Sequence, residues 1–110
     1  MRSFFSVLVL LLILAFAKTS IAADPSAIYK SKCALCHGAK GEGIKNMAPP
    51  HKGNKFVIEG KPEEIKKTIL EGRIGKAKKY KEYPVDMPKN VMPDADAEAL
   101  IKYLKTDLQK

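Results

Sequence analysis

Both cysteines of this 110-residue chain, and one of its two histidines, fall in the five residues Cys33-Ala34-Leu35-Cys36-His37. On a helical turn, residues three and four apart share a face. Both sulfurs and the imidazole can therefore point at one planar group. C-x-x-C-H is the spacing of covalent c-type haem attachment. The two thiols add across the two vinyl groups of the porphyrin and become thioethers. His37 then offers a ring nitrogen to the iron.

Other chemistries that use C-x-x-C lack their remaining parts here. A structural zinc site needs four ligands, and with no second cysteine pair it would have to recruit His51, the only other histidine. A redox dithiol of the thioredoxin type needs a βαβ setting, which this sequence does not offer. A disulfide between Cys33 and Cys36 would close a very small loop and restrict little of the unfolded chain.

A second axial ligand would decide what the iron does. The candidates are Met47, Met87, Met92 and His51, and packing is the ordinary role of each methionine. Met87 has the most constrained setting, Tyr83-Pro84-Val85-Asp86-Met87-Pro88-Lys89-Asn90. Prolines on both sides stiffen that loop, and a stiff loop can hold a soft thioether against iron. Met92 is also followed by Pro, so these two remain alternatives. Met47 lies close in sequence to the haem motif and is the weakest candidate.

These groups need elements to position them. Asp24-Pro25 reads as a helix start, running through Ile28 and Tyr29 into Cys33 and ending at Gly38, Gly41 and Gly43. Ile44 to Lys55 reads as irregular loop. A second helix starts near Pro62, with Glu63 and Glu64 in its first turn, an apolar stripe at Ile65, Ile69 and Leu70, and Gly72 at its end. Arg73 to Pro93 is a long loop with three prolines, and loops of that length in small domains are usually functional. A last helix starts near Asp94 with an apolar face of Leu100, Tyr103 and Leu104. Alternation of apolar and polar residues nowhere persists for a strand. The expected class is all-α, three to four short helices wrapped around one covalently bound haem. Ile28, Leu35, Ile65, Ile69, Leu100, Tyr103 and Leu104 are the expected packing residues.

The N-terminus has a different character. Arg2, an apolar run from Phe4 to Ala17 and the small residues before Asp24 have the layout of a secretory signal peptide. The run is shorter than the roughly 20 apolar residues of a membrane-spanning helix. The expected division is 1–23 as cleaved signal and 24–110 as the haem domain. Cleavage after Ala22 puts Ser20 and Ala22 at the small-residue positions; cleavage after Ala23 is the close alternative, and an uncleaved anchor the other reading. Export implies the periplasm, with no stable membrane insertion once the signal is removed. Without Arg2 and Lys18 the chain keeps 18 basic and 12 acidic residues, a net of +6. Such a balance suits solvated lysines or an acidic partner surface. Nucleic acid is a poor match, because no aromatic-basic stripe suited to base stacking is present. Lys76, Lys78, Lys79 and Lys81 form a dense run just before the Met87 loop, where they could steer an acidic redox partner or simply face solvent.

From the first helix to the last, the chain resembles class I cytochrome c of the small bacterial monohaem type. The matching motifs are Cys33 to Gly38 as C-x-x-C-H-G, the loop Ala48-Pro49-Pro50-His51-Lys52-Gly53, Met87-Pro88, and a C-terminal helix with Tyr103 on its apolar face. The resemblance implies one haem c, with Met87 as the axial thioether and Asn90 able to hydrogen-bond near its sulfur. It also implies that the Pro49 carbonyl accepts a hydrogen bond from the proximal imidazole, fixing its tautomer. His51 departs from the pattern, which often has Leu there, and keeps bis-His ligation open. Arg73 is placed to pair with a haem propionate or is a solvated cation.

The implied activity is single-electron shuttling between redox partner proteins, without substrate turnover. Two other readings stand beside it. One is an electron-transfer subunit or module dedicated to one enzyme. The other is a ligand-binding haem sensor with a displaceable sixth ligand.

Overall fold

A computed structural model describes residues 23–110; the expected signal peptide lies outside the described residues except for Ala23. The described chain is helical, with two isolated antiparallel bridges in its loops. Helix α1 is Pro25–Lys32 and α2 is Ala34–His37, with Cys33 at the turn between them. They are followed by α3 (Lys55–Glu59), α4 (Pro62–Glu71) and α5 (Asp94–Lys105). Short 3₁₀ turns occupy Gly75–Ala77 and Asp107–Gln109.

Local chemistry accounts for the boundaries. The Ser26 N–H donates to Asp24 Oδ1 at 3.1 Å, capping α1, and Pro25 occupies its first turn. The first turn of α4 carries Pro62, Glu63 and Glu64, where proline costs no hydrogen bond and acidic groups favour the helix dipole. Helix α3 falls between the expected loop, which ends at Lys55, and the helix expected from Pro62, in a stretch to which the sequence reading assigns no element. Its five residues are too few to show a period, and its signal is Asn54, whose side chain accepts from the Phe56 N–H at 2.9 Å. Lys105 Nζ then donates to the Gly60 and Ile58 carbonyls at 2.7 and 3.2 Å, tying the end of α3 to α5.

Helix α5 is the organising element and packs against α1, α3 and α4. Its buried face is Ala97, Leu100, Ile101 and Leu104, at helical spacing. Ile28 and Tyr29 meet it from α1, Val57 from α3, and Ile65 and Ile69 from α4. Leu100 is fully buried, so truncation to Ala would cost about 2–5 kcal/mol. One expected packing residue is misplaced. Leu35 is 81% exposed, because it lies between the cysteines on the opposite side of the α2 turn from Cys33, Cys36 and His37. Tyr103 is half-buried and packs at the edge of the core, tilted against Tyr29 at 5.8 Å. Among the described residues no helix is long and apolar enough to cross a membrane.

Candidate functional site

The α1–α2 turn delivers Cys33, Cys36 and His37 to one wall of a cleft with about 1130 Å³ of free space, counting its open mouth. Its lining also includes apolar Val57, Ile65, Ile69 and Leu104 and, from the Tyr80–Asn90 loop, Met87. Cys33 and Cys36 are not joined in a disulfide. Burial pushes the Cys33 thiol up to about 11, so it is a neutral thiol and not the lowered thiolate of a redox dithiol.

His37 is buried, and its Nδ1 is 2.7 Å from the Pro49 carbonyl. A carbonyl only accepts, so Nδ1 carries the proton and Nε2 keeps its lone pair for a ligand bond. Burial also holds the His37 pKa below the ordinary histidine value, partly opposed by the Pro49 hydrogen bond. The Pro49 segment is brought in by backbone geometry. The Gly43 N–H donates to the His37 carbonyl at 2.7 Å. Gly43 has φ +77°, and a Cβ there would press on Pro50. Ile44 and Ala48 bridge across the turn that carries Met47.

Met87 is held through its backbone. Its N–H and carbonyl pair with those of Arg73 at 3.0 and 2.8 Å. The Asn90 N–H donates to the Ile69 carbonyl at 2.9 Å, anchoring the loop end to α4. The Asn90 side chain donates to the Pro88 carbonyl at 3.4 Å. Met87 and Met47 both line the cleft, whereas Met92 packs against the core. His51 lines the cleft on the His37 side, its ring stacked on His37 with centroids 3.8 Å apart.

The cytochrome c family model matches residues 22–107. The chain belongs to the cytochrome c family. Residues 22–107 therefore form an electron-carrying domain with covalent haem c. The chain is 29% identical over 80 residues to the cytochrome c subunit of a quinone alcohol dehydrogenase from Gluconobacter oxydans, covering 71% of this chain and 17% of that protein. The corresponding subunit from Gluconacetobacter polyoxogenes is 32% identical over 73 residues, covering 66% and 16%. This cytochrome thus spans about one sixth of the length of those relatives.

The cleft suits that cofactor: two thiols, an imidazole and a thioether line it together with apolar side chains. Arg73 stands at its edge, donating to Thr68 Oγ1 at 3.1 Å and lying 4.9 Å over the Phe56 ring. Lys79 covers the same ring at 4.5 Å. Lys78 does different work from its neighbours. Its Nζ donates to the Tyr83 and Pro84 carbonyls at 2.9 and 3.3 Å and pairs with Asp86 at 3.5 Å. Lys76, Lys79 and Lys81 are exposed. The part of Phe56 and Tyr80 in the cleft does not follow from sequence reasoning; the Asn54 cap is the one signal for the Phe56 helix.

Proposed function

We propose that this cytochrome shuttles single electrons between exported redox proteins through a haem held by Cys33 and Cys36 and ligated by His37 and Met87. The observation that carries this reading is a pair of constraints on two residues lining one cleft: His37 fixed by Pro49 and Met87 fixed by Arg73. Haem c, when bound, supplies one reversible Fe(II)/Fe(III) couple. Cys33 and Cys36 tether it, and His37 presents an unprotonated Nε2. Met87 supplies a soft donor that favours the reduced form. The apolar floor keeps water from the ring and disfavours the more charged oxidised state. Arg73 is suited to a propionate.

The rival axial groups are less well supported. Met92 packs against the core, and His51 lies beside His37. Met47 lies on the turn folded back towards His37. With both axial positions filled by protein groups, no substrate needs to reach the iron. The basic start, apolar run and small residues before Asp24 support export to the periplasm with removal of that signal, and exposed Lys79 at the cleft, with exposed Lys76 and Lys81 near it in sequence, suits acidic docking surfaces. Likeness to cytochrome c subunits of quinone alcohol dehydrogenases keeps a second reading open, a carrier dedicated to one dehydrogenase.

The test is an absorption spectrum of the exported protein, oxidised and dithionite-reduced. A sharp reduced α-band with the weak far-red band of iron–methionine ligation supports the His37/Met87 carrier. Haem bands without the far-red feature would refute Met87 as ligand and favour a ligand-binding sensor.

A further inference from the structure

His51 has no place in the scheme above, yet its surroundings are unusually specific. Its ring lies over that of His37 with centroids 3.8 Å apart and planes 23° from parallel. Tyr29 packs edge-on against it at 5.8 Å and 65°. Its backbone is pinned: the His51 N–H donates to the Gly41 carbonyl at 2.9 Å, and its own carbonyl accepts from Gln109 Nε2 at 2.9 Å and from the Asn54 N–H at 3.2 Å. The ring is therefore delivered to His37 by a fixed segment.

The position has a cost. His51 Nδ1 is buried with no hydrogen-bond partner among the described residues. A buried polar atom left unpaired keeps its full desolvation cost, and an aliphatic side chain would fill the same space without it. What an aliphatic side chain lacks is a flat, electron-rich face. The Pro49 hydrogen bond fixes where His37 Nδ1 points but leaves the ring able to rotate about that direction. A ring stacked on it removes this remaining freedom.

We propose that His51 is a positioning residue for the proximal ligand. Its stacked ring sets the plane of His37, and its π face stabilises the positive charge that His37 shares with oxidised iron. The proposal rests on His37 being an axial ligand, as inferred above. Pro49 and His51, two residues apart, thus supply two different restraints on one imidazole. The charge argument follows from the negative potential over an aromatic face, which attracts a cation.

The experiment compares His51→Leu and His51→Phe with the parent, each carrying haem. Two quantities are read: the haem-methyl proton shifts of the oxidised protein, which report the axial imidazole plane, and the midpoint potential. His51→Leu should reorder the methyl shifts. It should also raise the equilibrium constant for reduction about threefold, about 30 mV at 59 mV per tenfold for one electron. His51→Phe, which restores a flat face without ring nitrogens, should return both towards the parent. A parental methyl pattern in His51→Leu overturns the proposal, as does a potential that stays or falls. A His51→Phe protein that behaves like His51→Leu also overturns it. Absence of the far-red band from the parent itself would refute the Met87 assignment, because that band requires iron–methionine ligation. A failure of the proposal alone leaves that band intact. If His51→Leu does not load haem, His51→Gln gives the same non-aromatic comparison.

Discussion

Arg73 and Met87 face each other as a two-residue antiparallel bridge, each N–H donating to the other's carbonyl, at 2.8 and 3.0 Å. The methionine is thereby referred to the end of α4, not left on a free loop. Met87→Ala keeps the bridge and both thiols, so haem stays attached while the thioether is lost. The far-red band should vanish, and added imidazole or azide should shift the oxidised spectrum. An unchanged spectrum would show that another group occupies the sixth position.

Gly72 controls the same bridge from one residue away. Its φ is +71°, and a Cβ there would run into the Met87 carbonyl and the Lys89 nitrogen. Gly72→Ala is expected to destabilise the fold by more than about 1 kcal/mol, since the backbone conformation is unfavourable for Ala. It should also weaken the far-red band, because the Met87 segment has to retreat. Urea unfolding alongside the oxidised spectrum separates the two effects. Lost stability with an intact band would mean that the loop adapts without moving the sulfur.

The lysine run divides by function. Lys78 is committed to the Met87 loop through two carbonyls and Asp86, while Lys79 and Lys81 are exposed. Lys79→Glu with Lys81→Glu should slow electron transfer to anionic ferricyanide at low ionic strength by about tenfold. A cationic cobalt complex should react faster with the same variant. At 1 M salt, where the screening length is about 3 Å, both differences should collapse. Lys78→Met should loosen the loop and weaken the far-red band. Equal ferricyanide rates for parent and double variant at low salt would remove these lysines from steering.

Much of this arrangement is legible in the amino-acid sequence. Asp24-Pro25, Pro62-Glu63-Glu64 and Asp94 announce three helices because caps and first-turn preferences are local. C-x-x-C-H announces the cofactor because three side chains on one helical face need only a turn of chain. Leu35 shows the limit of hydrophobicity as a guide: the periodicity that joins the two cysteines and His37 turns the intervening leucine to solvent. Met87 and Met92 look alike in sequence, each before a proline. They separate only because Met92 adjoins α5 and packs against the core, whereas Met87 is carried to the cleft by the bridge to Arg73. The stacking of His51 on His37 depends on how the Gly41–Asn54 segment folds back, which no local pattern encodes.

Tyr29 predicts a response to alkali. It is fully buried in the core, its hydroxyl donates to the Gly38 carbonyl at 2.7 Å, and burial raises its pKa well above the ordinary tyrosine value of 10. A folded-state pKa above the unfolded one gives stability that is complete below about pH 10 and lost as pH rises beyond it. Tyr29→Phe removes the hydrogen bond and should cost about 1 kcal/mol at about pH 8. It also removes the ionisation, so the gap between parent and variant should narrow at about pH 11. Urea unfolding at the two pH values tests this; an identical gap at both would show that Tyr29 does not limit alkaline stability.

Ala23 and Asp96 give the last prediction. The Ala23 nitrogen donates to Asp96 Oδ1 at 3.0 Å, joining the start of the described chain to the first turn of α5. Cleavage after Ala22, with Ser20 and Ala22 at the small-residue positions, turns that nitrogen into the α-ammonium of the mature protein. The hydrogen bond then becomes an exposed ion pair between the N-terminus and the helix on which α1 packs. Mass spectrometry of the exported protein should find Ala23 as its first residue. Asp96→Asn should lower stability by under about 1 kcal/mol at low salt, with the difference fading at about 1 M salt. A mature chain beginning at Asp24 would lack this nitrogen, and Asp96→Asn should then be neutral. A salt-sensitive loss in that shorter chain would show that Asp96 acts through some other partner.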